Sequence, residues 1–413
     1  MPPTNPTERW DNVKFANTFG PVCPQKKLDF AELSTKMPAC RVDRLRRISE
    51  FTQDQSEECL YLNIYIPARD RKGPAPVVLF IHGESYDYGT GNAYDGSVLS
   101  SFADIAVVTV NYRLGPLGFL STSDGAASGN YALSDLVAAV HWIQNNIADF
   151  GGDRTQVTVM GHGYGAALAN LLSLAPVTQR MNLFNRVILQ SGSALSPWAM
   201  AADPVRSAKD LADSLNCLPV PEEGEPIDTK VMVNCLSEVG HEEMMNADVP
   251  YNRFVTTFGP VVDKILVELS PELMIKQGDT LFSNIELMFG VNKYEGVHLL
   301  SQDDLENGIT PKRKLSILRQ YVRSVYQYPR LNIFNTLDHQ YFDWSDRNST
   351  SKLKHKVIEL LGDGMYNAPL VQTGRYHLDM GKDTYFYVFS HSNYTTNQAM
   401  VHRNTRADTM GRI

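Results

Sequence analysis

Val157-Thr158-Val159-Met160-Gly161-His162-Gly163-Tyr164-Gly165-Ala166-Ala167 is the stretch whose reading decides the fold of this chain. A short β-branched run enters a Gly-rich turn, and small helix-forming residues follow. This is the strand, tight turn and helix layout of G-x-S-x-G, in which glycines flank a serine because the bend has no room for side chains beside it. The strain of that bend lifts the serine Oγ above a sheet. Here the crown of the bend is Gly163. Glycine adopts positive φ freely, so the turn persists with its strain relaxed and with no attacking atom. A phosphate-binding loop is the rival reading. The glycines at 161, 163 and 165 fit neither G-x-G-x-x-G nor the P-loop, and no Lys opens the helix.

Working outward, residues 77–81, 106–110, 157–160 and 187–189 are short, continuous and β-branched, the pattern of strands buried on both faces. Residues 131–147 carry apolar side chains at three- and four-residue spacing and read as an amphipathic helix. Strand, helix and strand in this order predict an α/β fold: a large, mostly parallel sheet with right-handed crossovers and helices on both faces. Further on, residues 219–225 form a Pro/Glu-rich loop, and 285–291 and 385–389 read as two more strands. No repeat of 20 to 50 residues occurs, which removes solenoids and propellers. No composition break marks a linker, so residues 1–413 are expected to form one domain.

The 413 residues include 38 basic and 46 acidic ones, a net charge of −8, which argues against a nucleic-acid partner. With 43% hydrophobic and 10% aromatic residues the chain has ample material for a large core. No apolar run reaches the ~18 residues of a bilayer-spanning helix, and the first ten residues lack the apolar centre of a signal peptide. Asn348-Ser349-Thr350 and Asn393-Tyr394-Thr395 read as N-glycosylation acceptors. Five cysteines form neither a C-x-x-C pair nor a metal-binding pattern.

The segments around the turn add a resemblance. Glu58-Cys59-Leu60-Tyr61-Leu62-Asn63-Ile64-Tyr65-Ile66-Pro67 resembles the signature of type-B carboxylesterases and cholinesterases, with Glu58 where an Asp is usual. Asn111-Tyr112-Arg113-Leu114-Gly115-Pro116-Leu117-Gly118-Phe119-Leu120, Phe150-Gly151-Gly152-Asp153 and Leu189-Gln190-Ser191-Gly192-Ser193 also match, in order. Within that superfamily, Thr90-Gly91-Asn92, Asp95-Gly96-Ser97, Leu120-Ser121-Thr122 and Ala194-Leu195-Ser196-Pro197-Trp198-Ala199 look most like neuroligins. The resemblance runs from about Trp10 to about Phe389 and implies an α/β-hydrolase fold, truncated at both ends relative to the family.

An active member needs a serine, an acid, a histidine and backbone donors for the oxyanion. The resemblance puts Gly163 at the serine position and Glu295, in Gly290-Val291-Asn292-Lys293-Tyr294-Glu295-Gly296, at the acid position. It puts Gly83, Glu84 and Ser85 in the oxyanion segment, where the side chains of Glu84 and Ser85 crowd a backbone that must approach substrate closely. Tyr164 adds bulk beside the crown, and Trp198, at the acyl-pocket position, is expected to serve as packing. His402 precedes Arg403-Asn404-Thr405 rather than the family's Gly-Asp-Glu stretch and is not assigned the base role. Loss of the nucleophile alone costs about a million-fold in turnover, and loss of one oxyanion donor roughly a hundred- to a thousand-fold. A hydrolase fold without hydrolase activity is therefore expected. Ser191 is a poor substitute nucleophile, since its family counterpart is structural.

The same resemblance pairs Cys23 with Cys59 and Cys217 with Cys235 and leaves Cys40 over, free or competing for Cys59. Disulfides and sequons favour an extracellular location, and the resemblance implies the outer face of the plasma membrane in a cell junction or synapse, with a membrane anchor outside this chain. The neuroligin resemblance implies a cell-adhesion ectodomain that binds a neurexin-like receptor, needs no cofactor of its own, has Ca²⁺ bridging the interface, and belongs to a family that forms homodimers. Other inactive junction proteins of the same fold, gliotactin- or neurotactin-like, and a degenerate carboxylic ester hydrolase are the alternatives. The acidic stretch Gln302-Asp303-Asp304-Leu305-Glu306-Asn307-Gly308 reads as an exposed loop, with a place near the partner surface as the other option.

Overall fold

The computed structural model describes residues 11–391 except 14, 69–72, 220–225, 343, 345 and 347. Asn393, His402 and most of the Pro/Glu-rich loop therefore lie outside the described residues.

Seven strands make one sheet: β1 (Leu62–Tyr65), β2 (Ala75–Ile81), β3 (Ala106–Val110), β4 (Gly152–His162), β5 (Arg186–Gln190), β6 (Glu286–Asn292) and β7 (Thr384–Phe389). Their order is β1-β3-β2-β4-β5-β6-β7. Only the edge strand β1 runs antiparallel, against β3; all the other pairs are parallel. With helices around it, this mostly parallel sheet is the α/β arrangement that the apolar runs predict, and it fits the α/β-hydrolase fold that the resemblance implies. Six of the seven strands coincide with those runs. β1 escapes them because all four of its residues are only half buried, as a short edge strand allows.

The two faces of the sheet differ. Val77, Leu79, Ile81, Val157, Val159, Val187, Leu189 and Leu287 point to the main core and are fully buried there against helices Tyr131–Asn146 and Tyr164–Leu174. On the other face Val78, Thr158 and Ile188 are half buried, and Met288 is 42% exposed. Helix Ala39–Ser49 borders that second face and lines a groove with Phe80 and Met160.

A second apolar cluster, built by helices Pro311–Val325 and Thr350–Gly362, packs against Trp198 and Tyr164. A single turn of π-helix, Asp363–Asn367, continues the second of these helices and carries Met365 and Tyr366. Such turns recur where a helix must aim side chains irregularly. The mouth of the β4 turn thus opens between the two cores.

The acidic stretch departs from its expected form. Gln302–Glu306 is a short helix with a reciprocal cap between Ser301 and Asp304, and Asp304 is buried. The Arg313 guanidinium donates to it at 2.7 and 2.9 Å. Capping and pairing of Asp304 turn what reads as an exposed loop into a fixed corner.

Candidate functional site

β4 ends at His162, helix Tyr164–Leu174 begins at Tyr164, and Gly163 makes the turn between them with φ +55° and ψ −117°. A side chain on either flanking glycine is impossible without rearrangement. A Cβ on Gly161 would lie 2.1 Å from the Gly165 carbonyl oxygen, and one on Gly165 would lie 2.1 Å from the Ile81 carbonyl oxygen. A Cβ on Gly163, by contrast, would meet nothing within 4 Å. The turn is therefore built as a nucleophile elbow is built, with space above its crown and no side chain occupying that space. The Gly163 N–H donates to the Gln190 carbonyl oxygen at 2.8 Å, which ties the crown to β5.

At the acid position, Glu295 opens the short helix that follows β6 and is buried. It accepts hydrogen bonds from the Ser191 hydroxyl at 2.6 Å and from the Asn292 backbone N–H at 2.6 Å. Asn292 Nδ2 also lies within reach of both carboxylate oxygens. Ser191, with φ +55°, ends β5, so the carboxylate holds two strand ends together. One of the two histidines that line the cavity, His298, shares a hydrogen bond with the Tyr366 hydroxyl at 2.8 Å. Burial, with a further push from Arg41, lowers its pKa to about 3, so its ring is neutral at physiological pH.

The oxyanion segment is altered in two ways. Ser85 and Tyr86 sit at φ +58° and +61°, the left-handed region that glycine enters without cost and that is disfavoured for other residues. Glu84 is not a loose obstruction, as the sequence suggests. Arg44 Nε lies 2.6 Å from its carboxylate and Arg41 3.8 Å, so helix Ala39–Ser49 is pinned over the segment. Beside the crown, the Tyr164 ring contacts Trp198 (centroids 4.3 Å apart) and meets Tyr86 edge-on at 4.8 Å. Trp198 is 1% exposed and donates its indole N–H to the Met365 carbonyl oxygen at 3.0 Å. These rings occupy the side that the resemblance assigns to an acyl group. A cavity of about 160 Å³ is left around Gly163, Glu84, Ser191 and Glu295.

Over residues 1–410 the sequence matches the family described as the carboxylesterase family. The chain belongs to the carboxylesterase family. It is similar to neuroligin-3 of Mus musculus, 36% identical over 415 residues that cover 94% of this chain and 49% of that protein. Neuroligin-2 of Homo sapiens is 36% identical over 414 residues, 95% of this chain and 48% of its own length. Neuroligin-1 of Caenorhabditis elegans is 36% identical over 429 residues, 98% and 53%. The chain spans about half the length of the curated relatives it matches.

In this carboxylesterase-family chain the structure brings together Gly163, Glu295, Gly83, Glu84 and Ser85, the residues that the resemblance assigns to the former catalytic centre. Cys23 is bonded to Cys59 and Cys217 to Cys235, and Cys40 is a half-buried free thiol in the same cavity as Gly163. Burial raises the pKa of that thiol and so disfavours the nucleophilic thiolate. Asn348 is exposed, just before helix Thr350–Gly362. Among the described residues there is no group of three or more His, Cys, Asp and Glu that could hold a metal ion. Among them, too, no helix is long and apolar enough to cross a membrane.

Sequence reasoning did not find helix Ala39–Ser49, which bears the cations facing Glu84, nor His298 and Tyr366. The first had a signal: Val42, Leu45 and Ile48 recur every three residues behind Pro38 and are buried, while Arg41, Arg44 and Arg47 make a parallel basic row. His298 and Tyr366 lie far apart in sequence and meet only through the second core.

Proposed function

We propose that this chain is the recognition part of a non-catalytic, cell-surface adhesion protein of the carboxylesterase family, acting as neuroligins do and binding a neurexin-type receptor through a Ca²⁺-bridged contact. The observation that carries this reading is the crown of the elbow: Gly163 has open space above it and no atom able to attack an ester. With the Arg44–Glu84 pair over the oxyanion segment and Tyr164 on the acyl side, selection of the fold falls on its surface. Two disulfides, an exposed sequon at Asn348 and similarity to neuroligins support an extracellular, junctional setting and a homodimeric assembly.

The test is binding of an immobilised neurexin ectodomain to this protein, secreted with its disulfides intact, in millimolar Ca²⁺ and again in excess chelator. Saturable binding lost on chelation is the expected result. Absence of binding at micromolar protein would turn the reading towards another junction partner, of the gliotactin or neurotactin kind.

A further inference from the structure

Beside the elbow, and sharing Ser85, Tyr164, Trp198 and Tyr366 with its flank, a second and larger cavity of about 820 Å³ opens between helix Pro311–Val325, the segment around Arg253 and the end of helix Phe30–Lys36. Four cations line it, Lys36, Arg41, Arg253 and Arg323, and no Asp or Glu does, in a chain whose net charge is −8. Two of these charges have carboxylate partners set back from the cavity. Lys36 pairs with Glu32 across one helical turn, and Arg41 shares Glu84 with the closer Arg44. Arg253 gives one N–H to the Leu299 carbonyl oxygen at 3.0 Å and forms no ion pair among the described residues. Arg323 is exposed and likewise forms no ion pair among the described residues.

A further observation points to a ligand. Tyr164, Trp198 and Tyr366 add aromatic faces to the same lining. A concave, ring-lined space with a few convergent donors is the form of a small-molecule site rather than of a flat protein interface. His298, also in its lining, is neutral and adds no charge.

From this geometry we infer that the cavity binds a small organic anion: a carboxylate or sulfonate head held by Arg41, Arg253 and Arg323, on an aryl or alkyl body laid against the tyrosines. Guanidinium groups suit such heads because their fixed forks of donors match two oxygens at once. No bond is made or broken, and the inference does not depend on the adhesion reading.

Titration calorimetry on the purified, disulfide-bonded chain tests it with three probes that share one body: 4-phenylbutyrate, 4-phenylbutanol and 4-phenylbutylamine. The expected result is saturable 1:1 binding of the carboxylate with Kd below about 1 mM, as its size allows, and the alcohol and amine at least about tenfold weaker, as for loss of a charge-assisted hydrogen bond. Arg323→Gln and Arg253→Gln should each weaken the carboxylate by about tenfold and leave the alcohol unchanged. Arg323→Lys should restore part of the loss. Arg319→Gln, on the same helix but outside the lining, should have no effect. Equal affinity for the three head groups, carboxylate binding that survives both Arg→Gln changes, or the absence of any saturable heat would each overturn the inference.

Discussion

Arg44 Nε lies 2.6 Å from a carboxylate oxygen of Glu84, so a guanidinium closes over the segment that the resemblance assigns to oxyanion binding. Both side chains are largely enclosed, at 20% and 12% exposure, and the charge of Glu84 raises the Arg44 pKa. Replacing either residue by Ala should lower stability by about 1–3 kcal/mol, because the survivor is left partly buried and unpaired. The double variant should cost less than the sum, with a coupling of about 1–2 kcal/mol in a urea-denaturation cycle. Strict additivity would mean that the helix is not pinned by this pair.

The glycines of the elbow should respond to different degrees. Gly163→Ala places a methyl group in open space and is expected to cost about 1–3 kcal/mol, from the left-handed backbone alone. Gly165→Ala drives a methyl group into the Ile81 carbonyl oxygen, 2.1 Å away, and should abolish folding or lower stability by more than about 4 kcal/mol. Thermal melts of the two variants decide it; similar melting points would contradict the packing described.

His82, 1% exposed and stacked on Tyr112, has both ring nitrogens buried without a hydrogen-bond partner among the described residues. Burial lowers its pKa to about 3. Because the unfolded chain binds this proton near pH 6.5 and the folded chain near 3, stability should fall as pH drops through that window, by about 1.4 kcal/mol per unit for this residue. His82→Phe should flatten the acid limb between pH 6 and 4 by roughly that slope. An unchanged limb would show that His82 carries no linkage.

Cys217 and Cys235 close 18 residues, and Cys23 and Cys59 close 36. In the chain-entropy account the first bond is worth about 3 kcal/mol and the second about 4. The double variant Cys217→Ser/Cys235→Ser should therefore be the milder of the two disulfide deletions by denaturant midpoint, and the reverse order would argue for strain or residual structure in the unfolded chain.

Most of the sheet was legible in the sequence because parallel strands buried on both faces appear as unbroken apolar runs, and Val77, Val108, Val159 and Leu189 are such residues. The elbow was legible because its glycines are spaced by backbone crowding, which composition cannot hide. What escaped depends on contacts distant in sequence: the Arg44–Glu84 pair spans 40 positions, and Trp198 meets Met365 across 167. The acidic stretch misled for a related reason, since buried Asp304 is paired with Arg313, nine residues further on. A charge run alone does not reveal its counterion.

Intact-mass spectrometry after exposure to a fluorophosphonate tests the central account most directly, on the protein as it stands and on Gly163→Ser. With no hydroxyl above the elbow, the wild-type chain should gain no phosphonyl mass. The variant, whose oxyanion segment carries Glu84 and whose flank is filled by Tyr164, should react no faster than a surface serine. A stoichiometric adduct on the wild-type chain, mapped to any side chain around Gly163, would contradict the account.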